Sequence, residues 1–160
     1  MNVPRLARKR PVYRGMVVPF SVMWYDGVPD FKVADPRAVE RCIIERKCGL
    51  CGERIETRDV VFTGGELSIR NRLFTDPAMH EACARYAHFA CPFLNGRITH
   101  MAPAEAIERH GPGGWVDPNT SPKRPDRFGL YFAAGYGLVE VRGSVYIRAF
   151  YGRVEWLPPA

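Results

Sequence analysis

Hydrophobic residues along the chain fall into short runs with two different periods. Val17-Val18-Pro19-Phe20-Ser21-Val22-Met23-Trp24-Tyr25 is apolar and rich in β-formers, with Pro19 placing it at an edge or a bulge. Asp26-Gly27 supplies a turn and Phe31-Lys32-Val33 a short partner strand, which predicts a β-hairpin. Asp35 and Pro36 then open a helix as cap and first residue, and Val39, Cys42, Ile43 and Arg46 recur at helical spacing as far as Lys47. Cys42 reads as a small buried core residue. Val60–Thr63 and Glu66–Ile69 flank Gly64-Gly65 and predict a second hairpin. A further helix is expected from Pro77 to Ala90, capped by Thr75 or Asp76 and stopped by Pro92. Its helical wheel puts His80, Cys83, Ala84, Ala87 and Cys91 on one face, with His88 off that face.

The rest of the chain changes character twice. A short helix is expected over Ala102–His110, and residues 111–127, rich in Gly, Pro and charge, read as a long exposed loop. From Phe128 the pattern becomes strand-like. Phe128–Val141, Ser144–Tyr151 and Val154–Leu157, divided by Arg142-Gly143 and Gly152-Arg153, predict a small antiparallel meander. Tyr136, Tyr146, Phe150, Tyr151 and Trp156 lie in it as core residues or as stacking faces for bases, and the core reading weighs more. The expected organisation is a basic tail over 1–14, a body over 15–110, the loop, and a meander over 128–160 packed on the same domain. The tail, with Arg5, Arg8, Lys9, Arg10 and Arg14, reads first as frayed and solvated, and second as an arm that orders on phosphates.

Composition narrows the class. The 160 residues are 46% hydrophobic and 25% charged, ordinary values for a globular chain. No apolar run approaches the ~20 residues of a membrane helix, and no secretory signal is recognised, so no membrane partner is expected. The formal net charge of +6 favours anionic partners such as nucleic acid. Five cysteines, four metal-ligand candidates among them and their neighbours, point to a reducing cytoplasm rather than a disulfide framework.

The chemistry is concentrated between Cys48 and Cys91. Cys48-Gly49-Leu50-Cys51-Gly52 is a C-x-x-C knuckle, in which a tight turn aims two thiolates at one ion and Gly52 suits a positive φ. His80-Glu81-Ala82-Cys83 places an imidazole and a thiol one helical turn apart on one face. Two such pairs define a tetrahedral zinc site. Knuckle, hairpin and helix in that order predict an α+β, treble-clef-like zinc module with flanking antiparallel β-hairpins, too small to fold well without its ion. Cys91 lies about 16 Å from His80 at helical rise and would replace it only if the helix broke early. Four ligands, three of them thiolates, close the shell and weaken Lewis acidity, so one structural Zn2+ is expected rather than a catalytic one.

Arg14-Gly15, Val18-Pro19-Phe20, Trp24, Asp26–Phe31, the CxxCG knuckle, His80–Ala87, Cys91–Leu94 and Val154-Glu155-Trp156 together resemble a group of small zinc-binding proteins of actinobacteria and their bacteriophages. The resemblance covers most of the chain. It implies a zinc module and a cytoplasmic setting, the host cytoplasm if phage-encoded, and brings no activity with it.

Three functional classes follow. The first is nucleic-acid binding, with Arg8, Lys9, Arg10, Lys123, Arg124 and Arg127 meeting phosphates around a zinc scaffold. The second is an adaptor docking on a host or cellular protein through an exposed apolar patch or sheet edge. The third, ranked last, is a metal-dependent nuclease, for which His88, His100 and His110 are the free histidines; none sits in a recognisable nuclease spacing. No phosphate-cradling loop, nucleophile elbow or paired-carboxylate motif is present, so no catalytic residue is assigned.

Overall fold

The computed structural model describes residues 1–97 and 124–158. The expected helix over 102–110, most of the loop over 111–127, and Lys123, His100 and His110 lie outside them. The first residues pack rather than fray. A 3-10 turn over Arg5–Lys9 buries Ala7 completely, and the Arg10 guanidinium donates to the carbonyls of Val18 and Pro19 at 3.1 and 3.4 Å. Strand β1 (Val12–Tyr13) pairs with β2 (Met16–Val17). The predicted hairpin follows as β3 (Val22–Tyr25) and β4 (Val28–Ala34). Asp26 and Gly27 have φ of 47° and 78°, and two successive left-handed residues match the twist of a two-residue hairpin loop. Helix α1 (Pro36–Ile44) begins as expected, the Asp35 carboxylate accepting from the Arg37 N–H at 2.9 Å. It ends before Lys47 because Arg46 turns left-handed and ties down the departing chain, donating to the carbonyls of Ile55, Thr57 and Arg58.

The expected hairpin about Gly64-Gly65 does not form. Strand β5 (Val60–Gly65) runs through both glycines and leads into α2 (Glu66–Asn71), and only then β6 (Leu73–Phe74). The glycines serve close approach instead of a turn. A Cβ on Gly64 would lie 3.0 Å from the Phe74 ring and from Ser68, and one on Gly65 would overlap Pro125. Helix α3 (Glu81–Ala90) likewise starts later than Pro77. Thr75 and Asp76 do not cap it, because the chain just before it is held extended: Met79 and Val61 exchange both backbone hydrogen bonds, at 2.8 and 3.0 Å.

The C-terminal strands β7 (Phe128–Ala133), β8 (Tyr136–Val141), β9 (Ser144–Ala149) and β10 (Gly152–Trp156) do not form a simple meander. Tyr136 opposes Ala149, and in the same register Ala133 opposes Gly152 and Gly129 opposes Trp156. Segments 128–141 and 144–156 are thus two arms of one long hairpin, turned at Arg142-Gly143 and bent at residues 134–135 and 150–151. The bond from the Phe150 N–H to the Gly135 carbonyl, 2.9 Å, carries the ladder through the bend. Gly152-Arg153 is therefore strand, not turn. β5 extends the sheet beside β7, and β6 extends it beside β9. The bend brings these additions together: Phe62 of β5 stacks on Phe74 of β6 at 4.6 Å between ring centres. One hydrophobic core runs from Ala7 through the knuckle and β5 to Ile147 and Ala149. Tyr136 and Tyr146 face inward, whereas Phe150 and Tyr151 face solvent.

Candidate metal centre

The knuckle is shaped by its backbone. The Gly52 N–H donates to the Cys48 carbonyl at 2.8 Å, the Cys48 N–H to Glu53 at 2.9 Å, and Lys47 pairs with Arg54. Gly52 has the expected positive φ, 76°, and Phe20 packs where its side chain would stand. The loop is then fastened on two sides. Phe20 and Ser21 donate to the carbonyls of Leu50 and Gly49, and the Gly49 N–H donates to Ala78, two residues before His80. This last bond sets the second ligand pair against the first. His80 stands at the N-cap of α3 and Cys83 in its first turn, so the i, i+3 spacing works as predicted although the helix starts later.

The ligand atoms of Cys48, Cys51, His80 and Cys83 all lie within 4.8 Å of one another. Zn–S bonds near 2.3 Å and Zn–N bonds near 2.0 Å require ligand separations of about 3.5–3.8 Å in a tetrahedron. Cys51 Sγ and His80 Nδ1 are 3.4 Å apart. The histidine tautomer is set from outside the cluster. A carbonyl can only accept, so His80 Nε2–H donates to the Arg54 carbonyl at 3.1 Å and leaves Nδ1 as the ligand atom. All three cysteines are buried, and His80 is half-buried.

Cys48 and Cys83 share hydrogen bonds with each other and with Cys51. Burial alone would push Cys48 up, but hydrogen bonds from Cys51, Cys83 and the backbone N–H groups of Cys51 and His80 bring it down to about 3. Cys83 is pushed up, by its hydrogen bonds to Cys48 and Cys51 and then by burial. His80 is raised, chiefly by its hydrogen bond to Cys51. Negative charge held among buried sulfurs beside an imidazole is the donor set that a soft divalent cation satisfies. The four residues fit one structural zinc ion, and the ion would cross-link the knuckle to α3.

Other candidates fall elsewhere. Cys91 ends α3 outside the cluster, and Cys42 is a buried core residue whose thiol is pushed up to about 12, first by burial and then by Cys48. His88 is half-buried and held below its usual pKa, by burial and then by the Arg124 guanidinium. Of the six predicted phosphate contacts, Arg8 and Lys9 are exposed. Arg10 is packed across Phe20, with the carbonyl bonds described above. Arg124 donates to the carbonyls of Phe93 and Leu94 at 2.7 and 2.8 Å. Arg127 pairs with Glu66 at 2.6 Å and lies over the Trp156 ring. Arg10 and Arg124 are thus tied to backbone within the fold, whereas Arg127 is itself exposed. Sequence reasoning missed the Arg54 carbonyl and the Phe20 cover, and neither has a local signal, since both depend on where the chain returns.

The fold and the site define an α+β protein built round a closed Cys3His cluster that fits structural zinc. No protein-family model, curated protein or solved structure matches the chain.

Proposed function

We propose that this is a small zinc-stabilised nucleic-acid-binding protein. The observation that carries the reading is the closure of the metal site. With four protein ligands, three of them buried sulfurs, a bound ion would have no open position for substrate and would serve as a cross-link. Function then falls to the surface, which carries the net charge of +6. Exposed cations include Arg5, Arg8, Lys9 and Arg14 near the amino end and Arg142, Arg148 and Arg153 on the long hairpin. The knuckle and α3 keep the two ligand pairs of a treble clef, with a strand–helix–strand connection in place of its hairpin. The resemblance to actinobacterial and phage proteins supports a bacterial cytoplasmic setting as part of this reading. No helix among the described residues is long and apolar enough to cross a membrane.

A second reading rests on the β3–β4 hairpin, where Trp24, Tyr25, Val28 and Phe31 are all exposed. Exposed apolar side chains on this hairpin suit docking on a host or cellular protein. Capture of partners from bacterial lysate separates the two. Nucleic acid should be retained at low salt, lost between about 50 and 200 mM salt, and removed by nuclease. A protein partner held through the salt range and through nuclease treatment would overturn the nucleic-acid reading in favour of the adaptor.

A further inference from the structure

The bend in the long hairpin exposes a run that the first set of phosphate candidates did not include. Phe150, Tyr151, Gly152, Arg153 and Val154 are all exposed, Phe150 at 53% and Tyr151 at 85%. An aromatic ring this open is costly to leave in water, and Tyr151 is not loose. The Arg72 guanidinium lies over its ring, 3.8 Å from the centroid, and is itself pinned to the Ala149 carbonyl at 3.3 Å. Arg72 sits in left-handed backbone with φ of 55°, at the end of α2. One ring face is thereby covered by a cation and the other is open. Exposed Arg148 and Arg153 flank the corner on either side along the chain, the Arg153 guanidinium lying over the Phe132 ring at 3.7 Å from its centroid while the residue stays open to solvent. Arg72, Arg148 and Arg153 form no ion pair among the described residues, and the one carboxylate whose charge Arg153 is seen to influence, Glu155, is already engaged by Arg85.

An ordered aromatic face backed by one guanidinium, with exposed arginines close before and after it in the chain, has the elements that take an unpaired base with its phosphates. We propose that the Phe150–Tyr151 corner docks single-stranded nucleic acid, with one base stacked on the open face of Tyr151 and the adjoining phosphates met by Arg148 and Arg153. This rests on the nucleic-acid reading above and makes it specific. A duplex presents no free base face and is the poorer ligand.

Fluorescence anisotropy of the zinc-loaded full chain with a labelled oligothymidylate of about 16 nucleotides tests it. Tyr151→Ala should weaken binding about tenfold or more, while Tyr151→Phe, which keeps the ring, should stay within about twofold of the parent. The double variant Arg148→Gln/Arg153→Gln should lower the salt slope by about one to two phosphate contacts. Because these side chains are exposed, zinc content and circular dichroism should not change. Equal binding of Tyr151→Ala and the parent, with salt dependence intact, would overturn the corner and leave the broader reading standing. Absence of binding to single strands and duplexes alike at about 50 mM salt would overturn both.

Discussion

His80 shows how much of a site can depend on one side chain with two nitrogens. Its Nε2–H is committed to the Arg54 carbonyl, so Nδ1 faces the sulfurs. The ligand set was legible in the sequence because C-x-x-C and H-x-x-C are short-range patterns whose geometry survives errors in helix boundaries. The Arg54 carbonyl was not legible, since any residue supplies one. Basic side chains were read least well. Arg10, Arg46 and Arg124 look alike as sequence, yet each donates to backbone carbonyls that tertiary folding brings within reach. Tyr136 offers a single-residue test. Its hydroxyl reaches the carbonyls of Cys42 and Ile43, 3.3 and 3.0 Å away, near the last turn of α1. Tyr136→Phe should cost about 1 kcal/mol in denaturant unfolding with little change in slope.

At the scale of elements, local chemistry decided what could be foreseen. Asp26-Gly27 and Arg142-Gly143 form the expected turns because both demand left-handed backbone, and Asp35-Pro36 opens α1 as a cap does. Gly64-Gly65 was misread because glycine serves turns and close approach equally well, and only the nearby Phe74 and Pro125 tell them apart. The pairing of β10 with β7 also had no local signal. The join between β10 and α3 yields a pH test. Arg85 bridges Glu155 at 2.7 and 2.8 Å and Glu81 at 2.7 Å, and its hydrogen bond holds the Glu155 pKa below the usual carboxylate value. A lowered folded-state pKa stabilises above the unfolded carboxylate range, near 4.3, and that contribution is lost as pH falls through the folded value. Thermal unfolding of the parent should therefore exceed that of Glu155→Gln by no more than about 1 kcal/mol near neutrality, and the gap should close on acidification. A gap that widens in acid would contradict this assignment.

For the whole molecule, an ion held by the four ligands would supply much of the stability. Apparent binding of structural zinc is about 10–16 kcal/mol in small modules, against about 5–15 kcal/mol of net stability for a domain. The knuckle and Cys83 belong to the same core as β5 and the long hairpin, so the loss cannot stay local. Elemental analysis of protein purified without added metal should find one zinc per chain. Cys83→Ser should abolish cooperative unfolding, and a strong chelator should do the same to the parent. A cooperatively folded Cys83→Ser protein free of metal would remove the basis of this architecture.

The strand order carries a timing consequence. Val60 of β5 finds its partner only at Ala133, and Leu73 of β6 only at Arg148, whereas both ligand pairs have been synthesised by Cys83. Such distant pairing is slow to form. A nascent chain emerging from the ribosome can therefore capture its ion while the edges of β5 and β6 still wait for the hairpin to be made. Those edges stay unpaired until the hairpin strands emerge, whether or not the ion is already bound.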